Sequence, residues 1–419
     1  MKVKYTFFAI VTSLLLLLIA ACSPKARTMT SENLMEGIKA EAMEGKASDE
    51  AFLKTTANFS LKLFKEGVAE NKNSLISPTS VLLALSMTSN GAEGATLEEM
   101  EKLLGDGISR EALNNYLYSY IKSLPSTEKE KLNIANSIWF RDSDSFKVQE
   151  DFLKTNATYY NASIYKSDFD SEETIKDING WVEKETHGMI DKIIDKIDPD
   201  SVMFLINALA FEGEWQRIYE KADIAPGEFS NIDGTKASVD FMNSSEASYL
   251  EDAEVTGFIK PYKEGNYSFA ALLPKEGVDI NEYIDSLSGE SFLSLVNNSA
   301  AGSVRASIPK FSYDYELSLK APLQNLGLVE GFNSALANFK SLGSSSDGNI
   351  YIGDVLHKTF IQVDERGTKA GAVTSVEMKT ESAILDEKYV ILDRSFVYAI
   401  IDNETKLPIF IGTVMDLTK

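Results

Sequence analysis

The sequence predicts an α+β fold, and three observations point to it. Apolar residues in the first third recur at three and four positions, as on one face of a helix. Further along they alternate or run unbroken, as in strands. The interior of the chain has no Pro/Gly-rich linker and no fixed-period repeat, so helices and strands are expected to share one large domain, residues 49–419.

The elements follow in order. Lys2 and Lys4 precede an apolar run over residues 7–21 that ends Ile19-Ala20-Ala21-Cys22. A basic start, a short apolar stretch and small residues read as an export signal over residues 1–21; a membrane-spanning helix needs about 20 apolar residues. Residues 22–48 are polar and poor in apolar side chains and read as a flexible leash. Phe52, Thr56, Phe59 and Leu63 mark the first amphipathic helix. Ser77-Pro78 before Val81, Leu82 and Leu85 starts the next, because serine can cap free amides and proline at the first helical position wastes none. Thr96 and Glu99 match a capping box ahead of Met100, Leu103 and Leu104. Leu113, Leu117 and Ile121 give a further helix.

Leu132, Ile134, Asn136, Ile138 and Phe140 switch to period 2, a strand, and Ile175, Ile178 and Val182 return to helix. Residues 202–211 are almost wholly apolar, as in a strand buried on both faces. Residues 267–273 and 303–311 read as strands, and 396–401 with 408–414 as a hairpin around Asp402 to Lys406.

Composition excludes several kinds of chemistry. The formal charge of −22 becomes −24 once Lys2 and Lys4 leave with the signal, which disfavours nucleic acid and anionic lipid surfaces. Cys22 is the only cysteine, so no internal disulfide and no cysteine-ligated metal site can form. His187 and His357 are the only histidines, and no Gly-x-Ser-x-Gly elbow, His-Glu-x-x-His helix or phosphate-binding glycine loop is present. No catalytic residue, metal or cofactor is expected, and the chain does not read as an enzyme.

Residues 367–381 stand out. Thr368, Ala370, Ala372, Thr374, Val376, Met378 and Thr380 are uncharged and mostly small, while Lys369, Glu377, Lys379 and Glu381 all fall on the other parity. As a strand this segment would bury one face and wet the other. Yet it is thin in bulky β-formers and holds Gly371, as an exposed loop would.

Several segments, in order, resemble the serpins, the serine protease inhibitor family. They are Asn73-Ser74-Leu75-Ile76-Ser77-Pro78-Thr79-Ser80 with Gly91 to Met100, Ile178 to Val182 with Glu185 to Ile190, and Asn207 to Trp215. Val355 to Lys358, Asp364 to Thr368 and Pro408 to Gly412 complete the series. The resemblance implies three β-sheets, about eight or nine helices, and an exposed reactive-centre loop near the C-terminus, at about residues 365–393. Glu365, Gly367, Thr368, Ala370, Ala372 and Thr374 match the family's hinge. Ser77, Ser80, Asn207 and His357 match its shutter beneath the opening of the main sheet, and Trp215 its breach, where the loop first enters. Cys22, after an aliphatic and two small residues, resembles the lipidated cysteine of a bacterial lipoprotein. That implies an exported chain held to a bacterial membrane only by lipid, on the periplasmic face or the cell surface.

The implied mechanism is a suicide trap: a serine-type endopeptidase, or a cysteine one, acylates itself on the loop, and the cut loop enters the main sheet as an added strand. The partner is the target endopeptidase, held covalently by a monomer. Counting from the hinge places the reactive bond at Glu381-Ser382, with Lys379-Thr380 and Thr380-Glu381 as alternatives. Arg366 and Lys369 stand where inhibitory members often carry acidic residues, and the loop is slightly longer than is common. A non-inhibitory serpin acting as a binding or carrier lipoprotein is the other reading, although such members often carry bulky, charged or proline residues in the hinge and none occupies the inward parity here.

Overall fold

The computed structural model describes residues 29–198, 200–346, 348–368 and 387–418. Among these it places nine α-helices and three sheets around two hydrophobic clusters, with Ser31–Lys419 forming one unit. The main sheet has seven strands in the order Glu32–Asn33, Ser163–Ser167, Glu130–Arg141, Met203–Glu214, Gly367–Thr368, Ile352–Val363, Phe311–Ser318. A second sheet of nine strands includes Pro408–Val414, Phe396–Asp402, Ala300–Pro309 and, at one edge, Lys388–Ile391. Lys147–Val148 and Gly343–Ser344 make the small third sheet.

The helix Pro78–Ser89 sits at the centre. Every one of its residues is buried, as expected for a helix that is apolar all round. Ser77 caps it, accepting from the Ser80 amide at 3.4 Å, and it packs against Glu130–Arg141, Met203–Glu214 and Pro408–Val414. The strand read over residues 202–211 is Met203–Glu214, with nearly every position buried.

Three expectations need correction. The helix after Ser89 begins at Gly94, with Glu93 at its cap and no side-chain cap bond. Thr96 and Glu99 instead reach across the fold: the Thr96 hydroxyl accepts from the Asn338 amide at 3.0 Å, and the Glu99 carboxylate accepts from the Val329 and Glu330 amides at 2.8 and 2.7 Å. The strand read over residues 303–311 is two strands. Ala300–Pro309 ends at a proline, which lacks the amide to continue a ladder, and Phe311–Ser318 crosses to the main sheet.

Part of the expected leash also belongs to the body. Glu32–Asn33 pairs antiparallel with Lys166 and Tyr165. The Ser31 amide and hydroxyl both donate to Asp177 Oδ2 at 2.8 Å, and Leu34, Met35 and Ile38 pack on the core. An edge strand offers unpaired backbone groups, and this short segment satisfies some of them at Ser163–Ser167.

Candidate functional site

Met203–Glu214 and Ile352–Val363 run parallel and meet along only part of their length. Their pairing begins at Met203 with Ile352 and ends at Ala208 with Lys358, Asn207 lying opposite His357. Beyond it, among the described residues, Leu209 to Glu212 and Thr359 to Gln362 do not pair with each other. At the far end Gly367–Thr368 fills the space, antiparallel to both: Gly367 opposite Glu214, Thr368 opposite Gly213 and Val363. The sheet is thus closed below, splayed above and capped by a two-residue strand.

The closed end is held by a buried polar cluster. Asn136, Asn207 and His357 form a row across three strands. The Asn207 amide group donates to Ser80 Oγ at 2.5 Å and to Asn136 Oδ1 at 2.6 Å. The Ser77 amide donates to His357 Nε2 at 3.1 Å, so that nitrogen carries no proton and Nδ1 is the donor to Asn207 Oδ1 at 2.5 Å. The Ser77 hydroxyl donates to the Ile409 carbonyl at 2.9 Å. Ser77, Ser80, Asn207 and His357 are wholly buried, and such a cluster is tolerated only when its members satisfy one another. Burial drives the His357 pKa down to about 3, so the imidazole is neutral.

Sequence reasoning missed Asn136. Its signal was a polar residue on the apolar parity of Leu132, Ile134, Ile138 and Phe140.

At the splayed end, Trp215 is wholly buried and stacks on Tyr262 with ring centroids 4.7 Å apart. Its indole N–H donates to the Asp364 carbonyl at 2.9 Å and its backbone amide to the Arg366 carbonyl at 2.7 Å. Thr368 is only 2 % exposed, and its hydroxyl meets Tyr262 Oη at 2.6 Å. Gly367 is required by close approach, since a Cβ there would lie 1.9 Å from the Gly213 carbonyl oxygen. Glu365 pairs with Lys310 at 2.7 Å, and that bond holds its carboxyl below the usual range. Beside it, Lys260 and Glu246 form a buried ion pair at 2.8 Å, the ammonium lying over the Tyr219 ring.

The structure therefore gathers Ser77, Ser80, Asn207 and His357 at one end of the splayed interval, and Trp215, Glu365, Gly367 and Thr368 at the other. Six residues of one strand, about 20 Å, separate the two groups. Ala370, Ala372, Thr374, Lys379, Thr380, Glu381, Ser382 and Cys22 lie outside the described residues.

Comparisons with known proteins agree with this geometry. A family model described as Serpin (serine protease inhibitor) matches residues 54–417. The structure of a thermophilic serpin, tengpin, in the native state is 51% identical and superposes with a TM-score of 0.90 over 92% of this chain and 100% of that one. The latent state of tengpin gives 0.80 at 50% identity, over 89% of this chain and 100% of that one. An uncharacterized serpin-like protein of Thermococcus kodakarensis is 29% identical over 366 residues, 86% of this chain and 84% of its own length.

Proposed function

The chain belongs to the serpin family, and from that premise we propose that it inhibits an endopeptidase as a suicide substrate. The observation that carries the proposal is the seam capped by Gly367–Thr368. The protease nucleophile attacks a carbonyl within residues 379–382, forms an acyl-enzyme and releases a new amino terminus on the C-terminal piece. The tethered segment then continues the strand that Gly367–Thr368 begins.

Extending the observed register supports this. Antiparallel pairing steps back one residue for each residue added, so Ala370 comes level with Phe211 and Ile361, and Thr374 with Asn207 and His357. Thr368 is buried, and on an inserted strand the even-numbered residues up to Thr380, none of them charged, would share its inward face. Above Ala208 the incoming strand meets two edges that do not pair with each other across the seam. Below, it replaces one ladder with two. About a dozen added backbone bonds at roughly 1 kcal/mol net each make insertion favourable by of order 10 kcal/mol. Residues 368–380 as a strand span about 43 Å at roughly 3.3 Å each, enough to carry a bound enzyme from one end of the sheet to the other.

Residues 31–419 mixed with glutamate-specific, trypsin-like, elastase-like and papain-like enzymes should give a covalent band that survives boiling in detergent with at least one of them. Sequencing the released C-terminal peptide locates the bond among Lys379, Thr380, Glu381 and Ser382. Clean cleavage without such a band across the panel overturns the proposal.

We also propose that the full chain acts outside the cytoplasm, held by lipid on Cys22, which the leader over residues 1–21 supports. Cys22→Ser should move the expressed protein from the membrane fraction to the soluble one. Retention in the membrane fraction would count against the anchor.

A further inference from the structure

We propose that Tyr389 and Ile391, braced by Arg305 and Glu387, form a second docking surface for the target endopeptidase and help determine which enzyme is trapped. This rests on the inhibitor reading above. Large hydrophobic side chains left exposed are few among the described residues: Val329, Leu336, Tyr389 and Ile391. Two of them share the edge strand Lys388–Ile391, at alternate positions and therefore on one face, 64% and 47% exposed. The opposite parity faces inward or along the sheet: Val390 is wholly buried, and the Lys388 ammonium lies over the Tyr249 ring.

The tyrosine is held in place. Arg305, its register partner on Ala300–Pro309, donates to the Glu387 carboxylate, and the Tyr389 hydroxyl donates to the other oxygen of that carboxylate at 3.0 Å. A ring tethered in this way loses little freedom when a partner covers it, which is the condition for an aromatic contact to contribute strongly to binding. Among the described residues, the ring that this arrangement positions faces solvent.

Chain length indicates what covers it. From the candidate bonds at residues 379–382 to Glu387 there are five to eight residues, a reach of about 18 to 28 Å at roughly 3.5 Å each. A protease of ~220 residues has a radius of gyration near 17 Å and a diameter of about 44 Å. An enzyme engaged on any of these bonds therefore overhangs the strand on the leaving-group side of its cleft. The chemistry it must offer there is an apolar patch, with polar groups able to face Arg305 and Glu387. The rival occupant is a second copy of this chain added along the outer edge of Lys388–Ile391, which among the described residues pairs only with Ala300–Pro309.

The test uses residues 31–419 and whichever enzyme of the panel the unmodified protein traps. The double variant Tyr389→Ser/Ile391→Ser should slow covalent-complex formation about tenfold, the cost of losing one good anchor. Inhibitor consumed per enzyme trapped and the thermal midpoint should stay unchanged. Arg305→Ala releases Glu387 from outside the strand and should slow the reaction about threefold, which preserves the test where the double variant folds poorly. A rate within twofold of the unmodified protein overturns the proposal. So does a slower rate accompanied by higher inhibitor consumption, because the strand then acts on insertion rather than docking. Self-association of the unmodified protein that the double variant abolishes, at unchanged trapping rate, assigns the surface to a second copy and also overturns it. An unmodified protein that traps no enzyme removes the inhibitor reading, and this inference with it.

Discussion

Thr368→Arg is expected to leave cleavage of the loop at its normal rate and to abolish the covalent complex. Thr368 is wedged between Gly213 and Val363, with its hydroxyl on Tyr262 Oη and the Trp215 ring stacked behind that tyrosine. An arginine would have to bring an unpaired guanidinium into this buried position for the strand to grow past it, at a cost of several kcal/mol. In the proposed mechanism, trapping is a race between insertion and hydrolysis of the acyl-enzyme. Each 1.4 kcal/mol added to one barrier changes its rate about tenfold, so a penalty of about 3 kcal/mol or more shifts the outcome at least a hundredfold towards free enzyme. The quantity to measure is inhibitor consumed per enzyme trapped, beside Thr368→Ser, which keeps the hydroxyl and should trap normally. A Thr368→Arg protein that still gives the detergent-stable band would show that insertion does not begin at this residue.

Mild acid is the second expectation. His357 is neutral in the folded chain with a pKa of about 3, against an ordinary value near 6.5 once unfolded. The unfolded chain therefore binds the extra proton first as pH falls. The contribution of the neutral imidazole is complete above pH ~6.5 and declines by about 1.4 kcal/mol per unit until pH ~3. At pH 5 the loss is about 2 kcal/mol. Protonation also sets two donors against each other, because Nε2 would then carry a hydrogen facing the Ser77 amide. The comparison to make is denaturant unfolding at pH 7 and pH 5 for the unmodified protein and for His357→Gln. The stability gap between them should narrow by about 2 kcal/mol at the lower pH, and parallel behaviour of the two proteins would refute this assignment. Carboxylates such as Asp49, held down to about 2 chiefly by its bond from Tyr116, respond with the same sign at lower pH and cancel in the difference.

The helices and the central strand were legible because their signals are local. Ser77-Pro78 caps a helix by contacts within three residues, and the apolar run over residues 202–211 needs only burial to become a strand. What escaped reading depends on distant partners. Thr96 and Glu99 carry the spacing of a cap but bond to residues more than 200 positions away. The segment around Ser31 looks solvated until Asp177 is placed beside it. Lys236–Glu251 gives no clean alternation, because Glu246 is buried there only by virtue of Lys260 on the neighbouring strand. Of the site, the buried polar residues were legible individually through the resemblance, and Asn136 was overlooked because it sat in a run already assigned to a strand. The splayed seam was not legible in its detail, since pairing that stops partway along two strands leaves no mark in either one.

That seam bears on what stability means for this protein. Six register pairs hold the closed half, ending at Ala208 with Lys358, while the strand proposed to replace them is already attached at the other end. On the proposed mechanism the working form is metastable, a state preserved by a barrier rather than by being the lowest in free energy, and its useful measure is a lifetime. Substitutions that tighten those pairs would lengthen shelf life and slow the trap together, and substitutions that loosen them would spend the molecule before any enzyme arrived. On the proposed mechanism the seam sets a rate, so stabilising changes that are harmless elsewhere in the fold would here compromise the function.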